Sequence, residues 1–129
     1  MSRRRVTPPG SRSDLALVIS DLRGGGAQRV LTSLADAWTE EGRVVSLITL
    51  AGAESDMFRP GPAVRRISLG LAGESRSRLD GILANVRRIR ALRRALQDCG
   101  APVVVSFVGA TNVLTVLASL GLGKRVVVS

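Results

Sequence analysis

Residues 15–42, LALVISDLRGGGAQRVLTSLADAWTEEG, limit what this chain can fold into more than any other stretch. An apolar run over 15–20 reaches a polar turn and three successive glycines, Gly24, Gly25 and Gly26, then passes directly into an amphipathic segment. Val30, Leu31, Leu34, Ala35 and Trp38 recur with helical spacing, Gln28, Arg29, Thr32, Ser33, Asp36 and Glu40 take the other side, and Gly42 supplies a stop. Strand, glycine loop and helix N-terminus is the order in which α/β folds bind anions. Each glycine loses more backbone entropy on folding than another residue would, so three in a row need a reason. Either the chain turns tightly with positive φ, or a ligand approaches backbone amides where a Cβ would intrude.

With 129 residues the chain is at most one domain, and its 45% hydrophobic content is enough for a core. That core is aliphatic: two Phe, one Trp and no Tyr leave few faces for bases to stack on, which argues against a single-stranded nucleic-acid platform. The formal charge is +9, carried by 19 basic residues of which all but Lys124 are Arg, and suits an anionic partner such as nucleic acid, an anionic membrane leaflet or a phosphorylated substrate. Histidine is absent, which removes the commonest general base and metal ligand. Cys99 has no partner for a disulfide, and a reduced, cytosolic compartment fits. Residues 1–13, MSRRRVTPPGSRS, read as a disordered basic arm; the following apolar run is too short for a signal peptide and leads into Asp21 and Arg23. No segment approaches the roughly 20 apolar residues of a membrane span.

Further along, 43–50 (RVVSLITL) is a nearly unbroken β-branched run, as expected of a parallel strand covered on both faces. A loop over 51–62 leads to a shorter strand at 64–69, nearer the sheet edge, and a polar connector covers 70–76. Residues 77–99 predict a long helix ended by Gly100 and Pro102. At about 100° per residue, Arg87, Arg90, Arg93 and Arg94 form one basic stripe beside its apolar sector. The stripe is either an ordinary solvated face or a surface that meets anionic lipid. A strand at 103–107, a short helix at 112–120 and a last strand at 125–128 complete a β-α-β-β-α-β-α-β order.

That order predicts an α/β fold, a Rossmann-like open parallel sheet with helices on both faces, its crossovers right-handed. Ligands in such sheets gather where the strand order reverses, so the loop at Gly24–Gly26 and the segment 108–112 are expected to share one crevice. A dinucleotide fingerprint fails because Arg29 stands where its third glycine belongs, and Thr49, Leu50 and Ala51 stand where its ribose-binding acid belongs. A P-loop fails because Gly123-Lys124 is followed by Arg125 and Ala118 replaces the upstream glycine. No paired carboxylates invite an acid/base assignment.

LALVISDLRGGGAQRVLTSLADAW, RVVSLITL and VVVSFVGATNVLTVLASLGLGKRVVVS, in this order and spacing, resemble the amino-terminal half of GT-B-fold, family 4-type retaining glycosyltransferases, especially bacterial ones that build polysaccharides on lipid-linked carriers. The resemblance covers about 15–129. It implies a domain at 14–129 that holds the acceptor, truncated at its C-terminal end, with the nucleotide-sugar gripped chiefly by a second domain that is absent. Gly24, Gly25 and Gly26 would then face the donor diphosphate, with Arg29 and Asn112 lining the acceptor cleft.

No catalytic residue, metal or cofactor is implied for this chain, the nucleotide-sugar being a substrate. The chain alone would be inactive. The partners implied are a nucleotide-sugar, a lipid-linked or glycan acceptor and an anionic membrane at the inner face of the plasma membrane. Gln28 stands where the family usually has Glu, so an altered helix start is expected. The alternative is a non-catalytic basic α/β module for anionic partners such as nucleic acid, supported by net charge alone.

Overall fold

The computed structural model describes residues 12–71 and 78–129. The expected basic arm, apart from Arg12 and Ser13, and most of the 70–76 connector lie outside the described residues. Ser13 is built into the fold: its amide donates to the Cys99 carbonyl at 2.7 Å and its hydroxyl bonds that of Ser46 at 2.5 Å.

Five strands, β1 (Leu15–Ile19), β2 (Val45–Thr49), β3 (Arg65–Ser68), β4 (Val103–Ser106) and β5 (Arg125–Val128), form one sheet in the order β3-β2-β1-β4-β5. All four pairings are parallel, with Leu17 opposite both Leu47 and Val105 in the central three. Three helices connect them: α1 (Gly26–Glu40), α2 (Arg78–Cys99) and α3 (Gly109–Ser119). The period-2 alternation of the strands divides the apolar residues between two cores. Leu17, Ile19, Val45 and Leu47 pack beneath Leu31 and Ala35 of α1. Ala16, Val18, Ile48 and Val104 pack on the opposite face beneath Leu92 and Leu96 of α2 and Leu114 and Ala118 of α3. Covered on both sides, β1 is 0% exposed from Ala16 to Ile19, as its unbroken apolar run requires.

The connection from β2 to β3 contains no α-helix, only a 3₁₀ turn at Ala53–Ser55. It is held on the α1 face by Met57 and Phe58 amides donating to the Leu22 carbonyl at 2.8 and 3.1 Å, and by the Gly61 amide donating to Asp36 Oδ1 at 2.7 Å. The adjacent arginines of β3 divide across the sheet. Arg66 is drawn inward by a two-pronged pair with Asp56, Nε to Oδ2 at 3.0 Å and Nη2 to Oδ1 at 2.9 Å, with side-chain exposures of 17% and 8%.

One expected boundary moves. The third helix begins at Gly109 rather than 112, because Val108 takes φ 75°, ψ 132° and turns the chain straight from β4 into the helix. Its buried face is also unusual: Thr111, Leu114, Thr115, Ala118 and Ser119 point inward while Val113, Val116, Leu117 and Leu120 are exposed. The inward hydroxyls are accommodated by hydrogen bonds, Thr115 to the Thr111 carbonyl at 2.7 Å and Ser119 to the Thr115 carbonyl at 2.7 Å, with Ser106 and Thr115 hydroxyls paired at 3.1 Å.

Removing Asp56 leaves the Arg66 guanidinium half-buried without its carboxylate. Asp56→Ala is expected to cost roughly 3 kcal/mol in urea denaturation. Asp56→Ala with Arg66→Met should recover most of that loss; a double variant as unstable as the single one would show that the pair does not set the cost.

Candidate functional site

The strand order reverses between β1 and β4, so the loops that follow them diverge to opposite faces and leave a crevice at the carboxyl edge of the sheet. Each loop runs directly into a helix N-terminus, α1 at Gly26 and α3 at Gly109. The first amides of an α-helix have no internal partner, and neither helix has a side-chain cap or an acidic residue in its first turn. Two partly positive helix ends are therefore presented at one edge.

Gly24, Gly25 and Gly26 are exposed. Gly25 precedes the first turn of α1 with φ 126°, ψ 168°, a region essentially restricted to glycine, and a Cβ there would lie 2.8 Å from Gln28 Oε1. Nothing lies within 4 Å of the Cβ position of Gly26, so the space a side chain would fill there is open. The loop is shaped by Asp21, whose Oδ1 accepts from the Arg23 amide at 3.1 Å and from Gln28 Nε2 at 3.4 Å. The Gln28 departure has a physical reason here: a glutamate in this pose would set a second carboxylate against Asp21. Arg29 is exposed on the same helix, and its guanidinium makes no hydrogen bond among the described residues.

The other arm of the crevice is strained. Val108, a β-branched residue at positive φ, stores on the order of 1–3 kcal/mol. Asn112 sits one turn into α3 but is directed toward the end of β5, Nδ2 donating to the Ser129 carbonyl at 2.8 Å while its buried Oδ1 has no partner among the described residues.

Behind α3, on the face opposite α1, a cavity of about 490 Å³ opens at the same edge. Ser20 and Leu50 beyond β1 and β2, Asn85 and Arg88 of α2, and Ala110, Thr111, Val113 and Leu114 of α3 line it. Arg88 is held by Nε donating to the Leu71 carbonyl at 2.8 Å and Nη1 donating to Asn85 Oδ1 at 3.0 Å. None of these residues is among the candidate site residues of the sequence. The signal was available: Asn85 and Arg88 are polar residues inside the apolar sector of α2, where a hydrophobic residue would otherwise face the sheet.

The four stripe arginines separate. Arg87, Arg90 and Arg94 are exposed on the outer face of α2, which also exposes Ile82 (61%), Leu83 (50%) and Val86 (43%). Arg93 is partly buried and turned to the C-terminus of α3, where Nη1 donates to the Ala118 carbonyl at 3.3 Å and to the Leu120 carbonyl. It satisfies carbonyls at a helix end and sets a positive charge against the negative pole of the dipole. Among the described residues no group of three or more His, Cys, Asp or Glu could hold a metal ion, and no helix is long and apolar enough to cross a membrane.

The Asp21 turn should matter to the whole loop. Asp21→Ala is expected to destabilise by about 1–2 kcal/mol and to speed amide exchange over 23–27, while Asp21→Asn, which keeps an oxygen acceptor for the Arg23 amide, should cost less. Equal exchange rates in wild type and Asp21→Ala would rule this out.

Comparison with known proteins agrees with this architecture. Residues 25–129 match the family described as glycosyl transferase 4-like domain. Over 119 residues the chain is 30% identical to GalNAc-alpha-(1->4)-GalNAc-alpha-(1->3)-diNAcBac-PP-undecaprenol alpha-1,4-N-acetyl-D-galactosaminyltransferase of Campylobacter jejuni subsp. jejuni, covering 89% of this chain and 31% of that protein. Sucrose-phosphate synthase from Thermosynechococcus elongatus superposes with a TM-score of 0.70 at 15% identity, over 91% of this chain and 32% of that one. The C-terminal domain of a Pyrococcus furiosus hydrogenase superposes with a TM-score of 0.66 at 16% identity, over 95% and 96% of the two chains. At these identities the two structures speak for the fold alone. The chain spans about a third of the length of the curated relative it matches. With the family's model covering residues 25–129, this protein belongs to the glycosyl transferase 4-like domain family.

Proposed function

We propose that this chain is the acceptor-side domain of a glycosyltransferase that moves a sugar from a nucleotide-sugar to a lipid-linked or polysaccharide acceptor at the cytoplasmic membrane surface. The observation that carries the reading is the uncapped N-terminus of α1 behind three exposed glycines, in a chain of this family. Its amides oppose the donor diphosphate, so that negative charge developing on the leaving group meets fixed donors without reorganisation. Arg29 and Asn112 flank the acceptor. The nucleotide-sugar is gripped by a further domain, and the chain by itself does not catalyse transfer. No metal or cofactor takes part in what this domain contributes. The Campylobacter relative, named as a transferase acting on an undecaprenol-linked diphosphate, supports the acceptor class.

The donor half of the proposal is tested by titrating the chain with inorganic pyrophosphate while following backbone amide resonances. Shifts are expected at 24–27, and Gly25→Ala, strained at φ 126°, should weaken binding about tenfold or more. Shifts absent from this loop would overturn it.

The membrane half rests on the outer face of α2, where exposed Ile82, Leu83 and Val86 lie among Arg87, Arg90 and Arg94. At about 1 kcal/mol per basic residue near an anionic surface, changing the three arginines to Gln should reduce binding to phosphatidylglycerol vesicles by roughly two orders of magnitude. Arg93→Gln should lower stability and leave vesicle binding unchanged. Undiminished binding of the triple variant would sink the membrane assignment.

A further inference from the structure

Helix α3 has apolar residues on two faces. Leu114 and Ala118 pack with Leu92 and Leu96 of α2, while Val113, Val116, Leu117 and Leu120, spaced i, i+3, i+4 and i+7, form an outer stripe in which each residue is 43% to 60% exposed. The helix carries no charged residue, whereas α1 and α2 carry several. Copies of a chain with net charge +9 repel one another over most of their surface, so an uncharged aliphatic stripe is a place where two of them can approach.

Asn112 fixes how the stripe lies over the sheet. Its Nδ2 donates to the Ser129 carbonyl just past β5, so Val116 and Leu120, one and two turns further along the same flank, overhang the β5 edge. Among the described residues β5 pairs only with β4. The Arg125 and Ser129 amides donate to the Pro102 and Ser106 carbonyls at 2.9 and 3.0 Å, so the backbone groups of Val126 and Val128, between them in the alternation, point away from β4 to the open edge. The opposite edge strand, β3, holds Arg65 and Arg66, but β5 after Arg125 is three valines, with neither a charge nor a proline to blunt it. Hydrocarbon leaves such unpaired amides and carbonyls unsatisfied, so this edge fits a second strand rather than a lipid surface. The aliphatic ridge above it fits an equally uncharged ridge. A second copy of this chain brings both.

We infer that two copies associate through β5 and α3 about a twofold axis perpendicular to the sheet. The β5 strands pair antiparallel with Val127 opposite the partner's Val127, so that Val126 exchanges hydrogen bonds with the partner's Val128, and Val128 with the partner's Val126. Arg125 then lies opposite the partner's Ser129, and the two arginines are roughly 14 Å apart along the strands, beyond the Debye length of about 8 Å. Val116 and Leu120 meet their counterparts above the joined strands, and the two five-stranded sheets become one. Because α2 and α3 share a face of the sheet, the same axis leaves both α2 helices on one side of the dimer, where their arginine-bearing faces act together. The contact does not rest on the acceptor-side reading.

Sedimentation equilibrium of the whole chain is expected to show a dimer of twice 13.6 kDa that dissociates on dilution. Leu120→Lys, at a position 60% exposed, and Val128→Pro, which removes an amide that does not face β4, should each weaken dimerisation about tenfold or more, with thermal melts showing that both variants fold. Val127→Cys should form an intermolecular disulfide under mild oxidation, because a non-hydrogen-bonded antiparallel pair sets its Cα atoms about 4.5 Å apart, within disulfide reach. Val30→Cys, exposed on α1, should not, and the buried Cys99 of the wild type should stay reduced. A chain that stays monomeric at every concentration, growth past the dimer, both edge variants dimerising as tightly as wild type, or equal cross-linking through positions 30 and 127 each overturns the contact.

Discussion

Burial of β1 between two parallel neighbours is the constraint on which the rest depends. Its side chains from Ala16 to Ile19 are fully buried, alternating between the α1 core and the α2–α3 core. Parallel strands need crossovers, and right-handed crossovers from a central strand place α1 on one face and the helices of the other half on the opposite face. The result at the carboxyl edge is forced: the chain leaves β1 toward one face and β4 toward the other, and the two helix N-termini stand on either side of the strand pair. The glycine loop and the α3 end are thus two uncapped helix N-termini brought to one edge by a single topological fact.

The arginine-rich composition resolves into separate uses once the fold is known. Arg66 neutralises Asp56 where the β2–β3 connection meets the edge of the sheet, and Arg93 closes the C-terminus of α3. Arg88 is held against the Leu71 carbonyl and contributes to the cavity wall. Arg29, Arg87, Arg90 and Arg94 remain on the surface. Net charge alone supported partners as different as nucleic acid and lipid. The exposed arginines of α2 lie among exposed aliphatic residues, with no aromatic side chain in the helix on which a base could stack.

Two positions at the crevice carry backbone conformations that ordinary side chains resist, and they are managed differently. At Gly25 the residue itself removes the penalty, and the space its Cβ would occupy is taken by Gln28, which in turn steadies Asp21. At Val108 the penalty is retained, and the surrounding β4 pairing and α3 docking hold it.

Much of this was legible in the linear sequence because it follows from local periodicity. The uninterrupted apolar runs of β1 and β2, the 3.6-residue repeat of α1 and the glycines at the strand-to-helix junction specify strands buried on both faces and a glycine loop leading into a helix, without any knowledge of contacts. What periodicity could not supply was orientation within α3, whose apolar residues occur on every side: only docking against α2 and β4 selected the face with Thr111, Thr115 and Ser119, because their small side chains allow close approach and the Thr115 and Ser119 hydroxyls are hydrogen-bonded. The same docking pulled Arg93 out of a basic stripe that looked continuous and turned Asn112 toward β5. Sequence by itself determined the elements and the glycine loop, since those depend on neighbours a few residues apart. The cavity, the division of the arginines and the strained entry to α3 were decided only by tertiary structure, since each depends on which surfaces of distant elements come into contact.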